Sequence, residues 1–538
     1  MPPSTLSKRV SIVLFLAIVA FYFYGLGHLP LVGPDEPRYA QVAREMFLRH
    51  DLVTPTLGGH TWFEKPALLY WLMIASFKIL GVSEFSARLG SAVCGLLTIL
   101  AVWLVAGEVE RGFQRREQSG YGFLSALVVA TCLGLIVFAR GASFDIVIVM
   151  TTTWALCLFH LQELTEVTRK RSLLLAGFYV FVGLSLIAKG LVGIVIPLGV
   201  VLCYFVLRRS WPRSTWLSLF WGLPLAILIS AIWYGPVISR NGWPFIDEFF
   251  IQHHFARYLS NKYHHPQPIY FYLPIAALLT LPWTAFLVDA LVGVRLWHWK
   301  ESDPLSKTRV FAFAWFVVPI LFFSFSGSKL PGYILPVVPA AAFLIADRMA
   351  HGQSRWPMRA TGLICVVLGV IGFVFLWRSG FVNVWCALLV AIPLLVGGLC
   401  AVLWKRTNTT SVSLIASSIL VMLVVVLICA APSFAQRDSV RDLLEIADAR
   451  GYGQAPVYAR QGSDRTAEFY AQGRVVYGAD GEPVVLEEGP QLLSEAHKHG
   501  GKILVFVPPD YVEAFRRLPG VEVIGDNGEV ALVGVSLR

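Results

Sequence analysis

The chain has few charged residues for its length. Only 14% of its 538 residues are Asp, Glu, Lys or Arg, whereas 56% are hydrophobic. Soluble globular domains carry about 25% charged residues, and a mean hydropathy of +0.65 is too high for that class. The composition therefore excludes a soluble globular protein and predicts a polytopic α-helical membrane protein.

Signatures of metal-binding and nucleic-acid-binding proteins are also missing. The eight cysteines all fall in hydrophobic stretches and show no paired metal-ligand spacing. We interpret them as small apolar packing residues, neither disulfide-bonded nor metal-bound. The net charge of +10 comes from basic residues dispersed over short loops. It predicts orientation in a membrane, with membrane lipids as partners and no nucleic acid.

The basic loops define a topology if the short apolar segment 67–80 lies in the membrane surface and does not span it. All basic clusters, beginning with Lys8 and Arg9, can then lie on one side. The other apolar stretches have about the 20 residues that a spanning helix needs. Thirteen spans are predicted, approximately at 10–27, 84–107, 121–138, 144–162, 173–188, 191–207, 215–236, 269–293, 310–325, 332–347, 359–377, 383–404 and 412–431.

Because the number of spans is odd and the N-terminus lies on the basic side, the chain after the last span lies on the other, outer side. Two domains are therefore predicted. Residues 1–431 form the transmembrane domain, and residues 432–538 form an α/β domain on the outer side. The transmembrane domain has two long outer loops, 28–83 with its juxtamembrane helices and 237–268. Within the outer domain the patterns predict helices at 441–450 and 490–499 and strands at 503–507, 521–524 and 530–535.

The unusual polar clusters of the chain all fall on the outer side of this topology. The segment Gly33-Pro-Asp-Glu-Pro-Arg-Tyr39 directly follows the first span, and Asp145 opens a later one. Ionisable groups beside a membrane span are usually functional, and at a bilayer edge they can contact water, lipid phosphates and the apolar phase. A site for a lipid-linked substrate is therefore predicted. Its candidate residues are Asp35, Glu36, Arg38, Tyr39, Glu64, Lys65, Asp145, His253, His254, Arg257, Lys329 and Tyr333.

These residues also have other interpretations. Asp35 and Glu36 could cap a helix that begins at Pro37, and Asp145 could cap its own helix. Four histidines lie between positions 253 and 265. They favour a divalent-metal site at Glu64, His253 and His254 as a second interpretation of that loop. No other cofactor is implied.

Four motifs together carry a family resemblance. They are Pro-Asp-Glu-x-Arg-Tyr after the first helix, Phe-Glu-Lys-Pro at 63–66, the Asp that opens a later span, and Ser-Lys-Leu-Pro-Gly-Tyr at 328–333. The combination resembles the protein O-mannosyltransferase superfamily of membrane glycosyltransferases, in particular its aminoarabinose lipid A transferase branch. The resemblance implies the GT-C fold with about 13 transmembrane helices and an outer C-terminal α/β domain.

The resemblance also implies substrates and a location. The donor would be undecaprenyl phosphate carrying 4-amino-4-deoxy-L-arabinose, the acceptor a lipid A phosphate, and the site the periplasmic face of a bacterial inner membrane. A protein, a glycan or another lipid is the alternative acceptor. A transporter of lipid-linked sugars is a further alternative, although transporters usually have broken helices and charges near the midplane.

The family pattern implies roles for individual residues. Asp35 would be the principal catalytic carboxylate and Asp145 the second acid, whereas Glu64, Lys65, Arg257 and Tyr333 would surround the donor phosphate. Cations and hydrogen-bond donors are needed where negative charge develops on a leaving phosphate. The carboxylates would act as a general base on a hydroxyl acceptor, or as sugar-orienting and charge-stabilising groups if the acceptor is an ionised phosphate. By position in the same motifs, Glu36 joins the catalytic set, and Arg38, Tyr39 and Lys329 join the binding set.

Overall fold

The computed structural model describes residues 8–112, 120–259, 267–352, 354–404, 409–460, 464–487, 489–518 and 520–537. Helices make up most of it. In chain order the α-helices are α1 Lys8–Phe23, α2 Glu36–Leu48, α3 Leu68–Leu80, α4 Glu84–Arg111, α5 Tyr121–Thr131, α6 Leu133–Arg140, α7 Phe144–Leu164, α8 Thr168–Lys189, α9 Val192–Arg208, α10 Arg213–Phe245, α11 Arg257–Leu259, α12 Tyr272–Leu279, α13 Thr284–Gly293, α14 Pro304–Ser324, α15 Val337–His351, α16 Trp356–Ser379, α17 Val384–Leu403, α18 Thr409–Val425, α19 Ala431–Arg437, α20 Arg441–Ala447, α21 Arg465–Tyr470, α22 Gly489–Lys498 and α23 Val512–Arg516.

Each of the thirteen predicted spans overlaps one of these helices or a pair of them. Within the described residues, eight helices are long and apolar enough to cross a membrane, and the number rises to nine if the pair α5–α6, bent by 57°, is one span. Shorter apolar helices occur at α1, α3 and α9. The chain is therefore a multi-pass membrane protein. The number thirteen and the surface placement of α3 stay predictions.

Strands occur in two places in the described residues. The first loop has a small antiparallel hairpin of β1 Thr56–Leu57 and β2 His60–Thr61. The C-terminal part has four strands, β3 Val457–Ala459, β4 Lys502–Val507, β5 Val521–Asp526 and β6 Ala531–Ser536. They form a sheet of order β3-β4-β6-β5, in which β3 and β4 pair in parallel and the other neighbours are antiparallel. The three strands predicted from sequence are confirmed.

The apolar run of β4 is explained by burial of both faces of the sheet. Leu504 and Phe506 belong to one hydrophobic cluster, whereas Ile503, Val505 and Val507 belong to another. Successive side chains of a strand point to opposite faces. A strand covered on both sides therefore needs a continuous hydrophobic sequence, as Ile-Leu-Val-Phe-Val provides.

The chain divides into two compact units. The first contains the chain up to Tyr24, then Phe63–Leu69 and Gly90–Val426. The second contains Gly25–Trp62, Tyr70–Leu89 and the chain from Leu427 onward. Most of the first outer loop thus belongs to the same unit as the C-terminal α/β part, whereas the boundaries 1–431 and 432–538 remain predictions from sequence.

The prediction that no cysteine is disulfide-bonded is wrong. Cys386 and Cys429 are disulfide-bonded, and the other six cysteines are free. Cys386 lies in the first turn of α17, and Cys429 follows α18. The predicted topology puts both of these helix ends on the outer side, where an oxidising compartment allows disulfides to persist. A hydrophobic sequence context does not reveal which side of the membrane a cysteine faces.

Candidate active site

Two cations converge on one carboxylate oxygen in the first unit. The ammonium of Lys65 donates to Oε1 of Glu64 at 2.7 Å. The Nη1 atom of Arg257 reaches the same oxygen at 3.4 Å. All three side chains are less than a fifth exposed. The structure therefore brings Arg257 into one cluster with Glu64 and Lys65, although Arg257 lies 193 positions beyond Glu64 in the sequence.

The segment that carries Glu64 and Lys65 is anchored to the second outer loop. The backbone N–H of Phe63 donates to Oε1 of Glu248 at 3.2 Å. The ring of Phe63 packs edge-to-face against Phe245, with ring centroids 5.1 Å apart. An aromatic contact and a hydrogen bond thus fix the residue just before Glu64.

The cations keep Glu64 ionised. Burial alone would raise the pKa of this carboxyl, because a charge is costly in an apolar environment. The adjacent Lys65 ammonium, together with Arg257 and His253, outweighs burial and holds the pKa of Glu64 well below its ordinary range. Glu64 is consequently an anion that orients two cations at neutral pH.

A second ion pair lies in the same unit. Asp145, in the first turn of α7, pairs with Lys189 at the end of α8. The Lys189 ammonium lies over the ring of Tyr333, 4.9 Å from its centroid. The cap of α7 is Ser143, whose hydroxyl accepts from the Asp145 N–H at 3.1 Å. The interpretation of Asp145 as the cap of its own helix is therefore wrong.

Sequence reasoning missed Lys189. It lies in Ala188-Lys189-Gly190, at the end of a predicted span. The signal was present, because the basic clusters of the predicted topology lie at the opposite helix ends and a lone lysine here needs a counter-ion. Only the packing of α7 against α8 shows that Asp145 supplies it.

His254 connects the two clusters. Its Nδ1 atom lies 2.7 Å from the carbonyl of Phe249, and its Nε2 atom lies 3.4 Å from the carbonyl of Lys189. Gly190 has φ +69°, and a Cβ atom there would collide with the imidazole. Glycine is needed at this position for both the backbone conformation and the close approach of the ring. Arg257 lies one helical turn beyond His254, so both ion pairs belong to one neighbourhood of the first unit.

Gly332 fulfils a similar steric requirement beside Asp145. A Cβ atom on Gly332 would collide with the carboxylate of Asp145 and would lie within 3.0 Å of the Phe138 ring. The Gly332-Tyr333 pair of the sequence motif therefore brings backbone close to the carboxylate and an aromatic ring close to the neighbouring ammonium. This packing explains why the motif at 328–333 has glycine followed by tyrosine at positions 332 and 333.

Lys329 has a different environment from the one predicted for a substrate-binding cation. Its side chain is buried, and its ammonium donates to the carbonyls of Gln267 at 3.0 Å and Ser326 at 2.7 Å. The same turn is anchored a second time, because the Gly327 N–H donates to the carbonyl of Tyr258 at 2.7 Å. In this arrangement Lys329 holds the turn to the second outer loop.

The described residues do not supply a set of ligands for the predicted metal site. Among them no group of three His, Cys, Asp or Glu side chains is placed to hold a metal ion. Glu64 faces two cations, and both ring nitrogens of His254 lie near backbone carbonyls. The histidines at 264 and 265 lie outside the described residues, so metal binding through this loop stays a prediction.

Asp35 belongs to the second unit and occupies the N-cap position of α2. Its side chain is exposed and makes no capping hydrogen bond. No ion pair or hydrogen bond joins its carboxylate to another residue in the described parts of the chain. The capping interpretation is therefore wrong for Asp35, and its carboxylate is available to a substrate.

Glu36 has a structural environment instead. Arg88 binds it in bidentate fashion, with distances of 3.0 Å from Nε to Oε1 and 2.7 Å from Nη2 to Oε2. The same guanidinium donates to the carbonyls of Leu26, Leu29 and Pro30 at 2.7–2.8 Å. Arg88 is buried. The pair thus organises the loop between α1 and α2, and the two adjacent carboxylates of the motif have different surroundings.

Arg38 and Tyr39 also lie in the second unit. The Nε atom of Arg38 is 3.6 Å from Oε2 of Glu468, and its guanidinium lies 5.1 Å from the ring centroid of Trp62. Tyr39 is only 5% exposed. The roles of both residues in substrate binding stay predictions.

Comparison with known proteins shows which membrane enzymes this chain resembles. Residues 64–234 match the family of dolichyl-phosphate-mannose-protein mannosyltransferases. Two curated relatives, from Aeromonas salmonicida and Aeromonas hydrophila, are both named undecaprenyl phosphate-alpha-4-amino-4-deoxy-L-arabinose arabinosyl transferase. Each is 32% identical, over 66% and 69% of this chain respectively. The matches span 65% and 66% of the length of those relatives.

The fold matches a solved structure over nearly the whole chain. ArnT from Cupriavidus metallidurans, crystallised with undecaprenyl phosphate, aligns with a TM-score of 0.81 at 22% identity and covers 98% of both chains. The chain therefore has the GT-C fold. The partial family match and the curated relatives show that the chain is similar in sequence to membrane glycosyltransferases of the dolichyl-phosphate-mannose-protein mannosyltransferase family.

Proposed function

We propose that this chain transfers 4-amino-4-deoxy-L-arabinose from undecaprenyl phosphate to a lipid A phosphate. The names of the curated relatives and the lipid in the ArnT crystal support the donor. The observation in this chain that carries the proposal is the convergence of Lys65 and Arg257 on Glu64. This cluster is a site for a phosphate at the end of an apolar chain. The active site and the C-terminal α/β part face the periplasm of a bacterial inner membrane.

Lys65 and Arg257 bind the phosphate of the donor in this proposal. Both cations are already held together by Glu64, so little reorganisation is needed when a phosphate oxygen takes a place beside the carboxylate. Arginine supplies a planar set of donors and lysine a compact charge. Preorganised cations stabilise the negative charge that develops on a leaving phosphate.

The transfer breaks the bond between the anomeric carbon and the phosphate oxygen of the donor. The electron pair of that bond stays on undecaprenyl phosphate, where Lys65 and Arg257 stabilise it. An oxygen of the acceptor phosphate forms the new bond to the anomeric carbon. Because this oxygen is already ionised at neutral pH, no strong base is required.

The carboxylates orient the sugar and stabilise positive charge at its anomeric carbon. Asp35, exposed and without a capping bond, is the principal catalytic group in this proposal. Asp145 is the second acid, held in place by its ion pair with Lys189. If the acceptor were a hydroxyl, one of the two would be the general base.

Transfer to a protein, a glycan or another lipid would use the same donor site, so the acceptor must be tested directly. The experiment is mass spectrometry of lipid A from a Gram-negative host that lacks its own aminoarabinose transferase. The chain and its Asp35→Asn variant are expressed to equal levels. An aminoarabinose mass on a lipid A phosphate with the wild-type chain alone is the expected result. Unmodified lipid A despite available donor would exclude lipid A as the acceptor.

The fate of the donor distinguishes a transporter of the lipid-linked sugar from a transferase. A donor analogue that cannot be cleaved at the anomeric bond still crosses the membrane in the presence of a carrier. A transferase binds the analogue without moving it. We expect binding without movement in vesicles that contain the purified chain, and analogue movement would contradict the transferase proposal.

A further inference from the structure

The backbone just before Asp35 is held by side chains from the C-terminal part of the chain. The N–H of Leu31 donates to the Tyr470 hydroxyl at 2.7 Å. The N–H of Gly33 donates to Oδ2 of Asp438, also at 2.7 Å. Loop amides need hydrogen-bond partners, and here two different side chains supply them within four residues of Asp35. All of these residues belong to the second compact unit.

The helix that follows Asp35 contacts the same short helix of the C-terminal part. Arg38 in α2 faces Glu468 at 3.6 Å. Arg44, almost two turns later, donates to the carbonyl of Phe469 at 3.1 Å, and its guanidinium lies 5.6 Å from the Phe469 ring centroid. Three consecutive residues of α21, from Glu468 to Tyr470, therefore contact the chain on both sides of Asp35.

The Tyr470 hydroxyl is also bonded to the start of α4. It donates to Oε1 of Glu84 at 3.0 Å, and Arg441 approaches the same oxygen at 3.5 Å. One turn later on α4, Arg88 holds Glu36. A single hydroxyl thus links α21, the first residues of α4 and the loop that leads to Asp35.

We propose that α21 is a positioning element for the catalytic carboxylate, with Tyr470 as its principal residue. Asp35 has no capping bond that would orient it through its own side chain, so its position depends on the backbone on either side. Catalytic groups must be held to a fraction of an ångström by the residues around them. The inference rests on the proposed function, in which Asp35 is catalytic, and it gives the C-terminal part a role in that reaction.

The test compares two tyrosine variants of the full-length protein in lipid nanodiscs. Tyr470→Phe removes only the hydroxyl that bonds Leu31 and Glu84. Tyr458→Phe is the matched control. In the described residues, the Tyr458 hydroxyl bonds Glu495 at 3.1 Å and its ring lies beside His499, both within the same α/β part. Asp438→Ala, which removes the bond to Gly33 from an exposed position, is a second, independent variant.

Hydrogen exchange of the amides at 31–35 and steady-state transfer are measured on each variant. We expect Tyr470→Phe to accelerate exchange in this segment by about tenfold, because the Leu31 N–H loses its hydrogen-bond acceptor. We expect kcat to fall by roughly tenfold, because the catalytic group is misplaced, with KM for the donor unchanged. Asp438→Ala should shift both readouts in the same direction, and Tyr458→Phe should shift neither.

A second readout asks whether Tyr470 acts through Asp35. Tyr470→Phe is combined with Asp35→Glu, which retains a carboxylate but moves it. If Tyr470 positions Asp35, the loss in kcat of the double variant is smaller than the product of the two separate losses. Losses that multiply would overturn the proposal.

Other outcomes also decide whether α21 positions Asp35. Unchanged exchange at 31–35 in Tyr470→Phe overturns the inference whatever the activity, and so does faster exchange with an unchanged kcat. Failure of the proposed function is recognised separately, by a wild-type protein without sugar transfer or by full activity of Asp35→Asn. In that case the exchange data still establish whether α21 orders the loop.

Discussion

Lys189, the last residue of α8, forms an ion pair with Asp145 in the first turn of α7, and its ammonium lies 4.9 Å from the ring centroid of Tyr333. Both charged side chains are less than a quarter exposed. A partly buried carboxylate that loses its counter-ion reorients or recruits water. Lys189 therefore belongs with the candidate catalytic residues although no sequence motif marks it.

The first prediction concerns this pair. Lys189→Met keeps the length of the side chain and removes its charge, and we expect roughly a 100-fold loss of kcat, the size of effect seen when one preorganised electrostatic group is removed. Lys170→Met is the matched control, since Lys170 lies exposed in the first turn of the same helix. Equal activities of the two variants would remove Lys189 from the site.

The second prediction concerns donor binding. If Lys65 and Arg257 bind the donor phosphate as proposed, Lys65→Ala and Arg257→Ala each remove one charge-assisted contact to it. We then expect KM for the donor to rise by about 10- to 100-fold. The rate is measured against donor concentration with the reconstituted protein. Lys78→Ala, at an exposed position of α3, should leave this dependence unchanged. An unaltered donor KM in both site variants would refute the phosphate-binding role.

The third prediction distinguishes the two adjacent carboxylates of the first motif. Asp35→Asn should lower transfer by at least about 1,000-fold, as expected for loss of a principal catalytic group, while the melting temperature stays the same. Glu36→Gln should lower the melting temperature, because it leaves the buried Arg88 with a weaker partner. Thermal unfolding and transfer are measured on both variants. A stable, inactive Glu36→Gln protein would restore a direct catalytic role for Glu36.

The fourth prediction concerns pH. The pKa of Glu64 is held well below its ordinary value in the folded chain, so its ionisation adds stability that is fully present above the unfolded pKa of about 4.3. This contribution is lost as the pH falls from there toward the folded pKa. The difference in melting temperature between the wild type and Glu64→Gln should therefore stay constant from pH 7 to about pH 5.5 and shrink below about pH 4.3. A difference that disappears near neutral pH would contradict the ion-pair cluster.

Sequence predicted the membrane class and the positions of the helices because both follow from local composition. A spanning segment must be apolar over about 20 residues, and such runs are visible in one dimension. The strands of the C-terminal part were equally visible, since β4 and β6 are short apolar runs bounded by glycine and polar residues. The bend between α5 and α6 was not visible in the sequence, because the apolar run from 121 to 138 contains no proline that would mark it.

The candidate site was predictable in part. Glu64, Lys65 and Arg257 were grouped by family pattern, and their convergence in space agrees with that grouping. Lys329 was included for the same reason, but its ammonium is taken up by backbone carbonyls. A motif records that a charged residue is present, whereas the partner of its charge depends on neighbours that are distant in sequence.

By itself, the sequence determined that this is a multi-pass helical membrane protein, and its polar motifs resemble those of glycosyltransferases that use lipid phosphates. Hydrophobic run length, loop charge and short motifs are local properties, so no tertiary contact is needed to detect them. Tertiary structure alone decided that Asp145 pairs with Lys189, that Glu36 is held by Arg88, and that Tyr470 reaches the loop before Asp35. Each of these contacts joins residues 44 to 439 positions apart, and ion pairs and hydrogen bonds depend on distances of a few ångströms that only the folded chain sets.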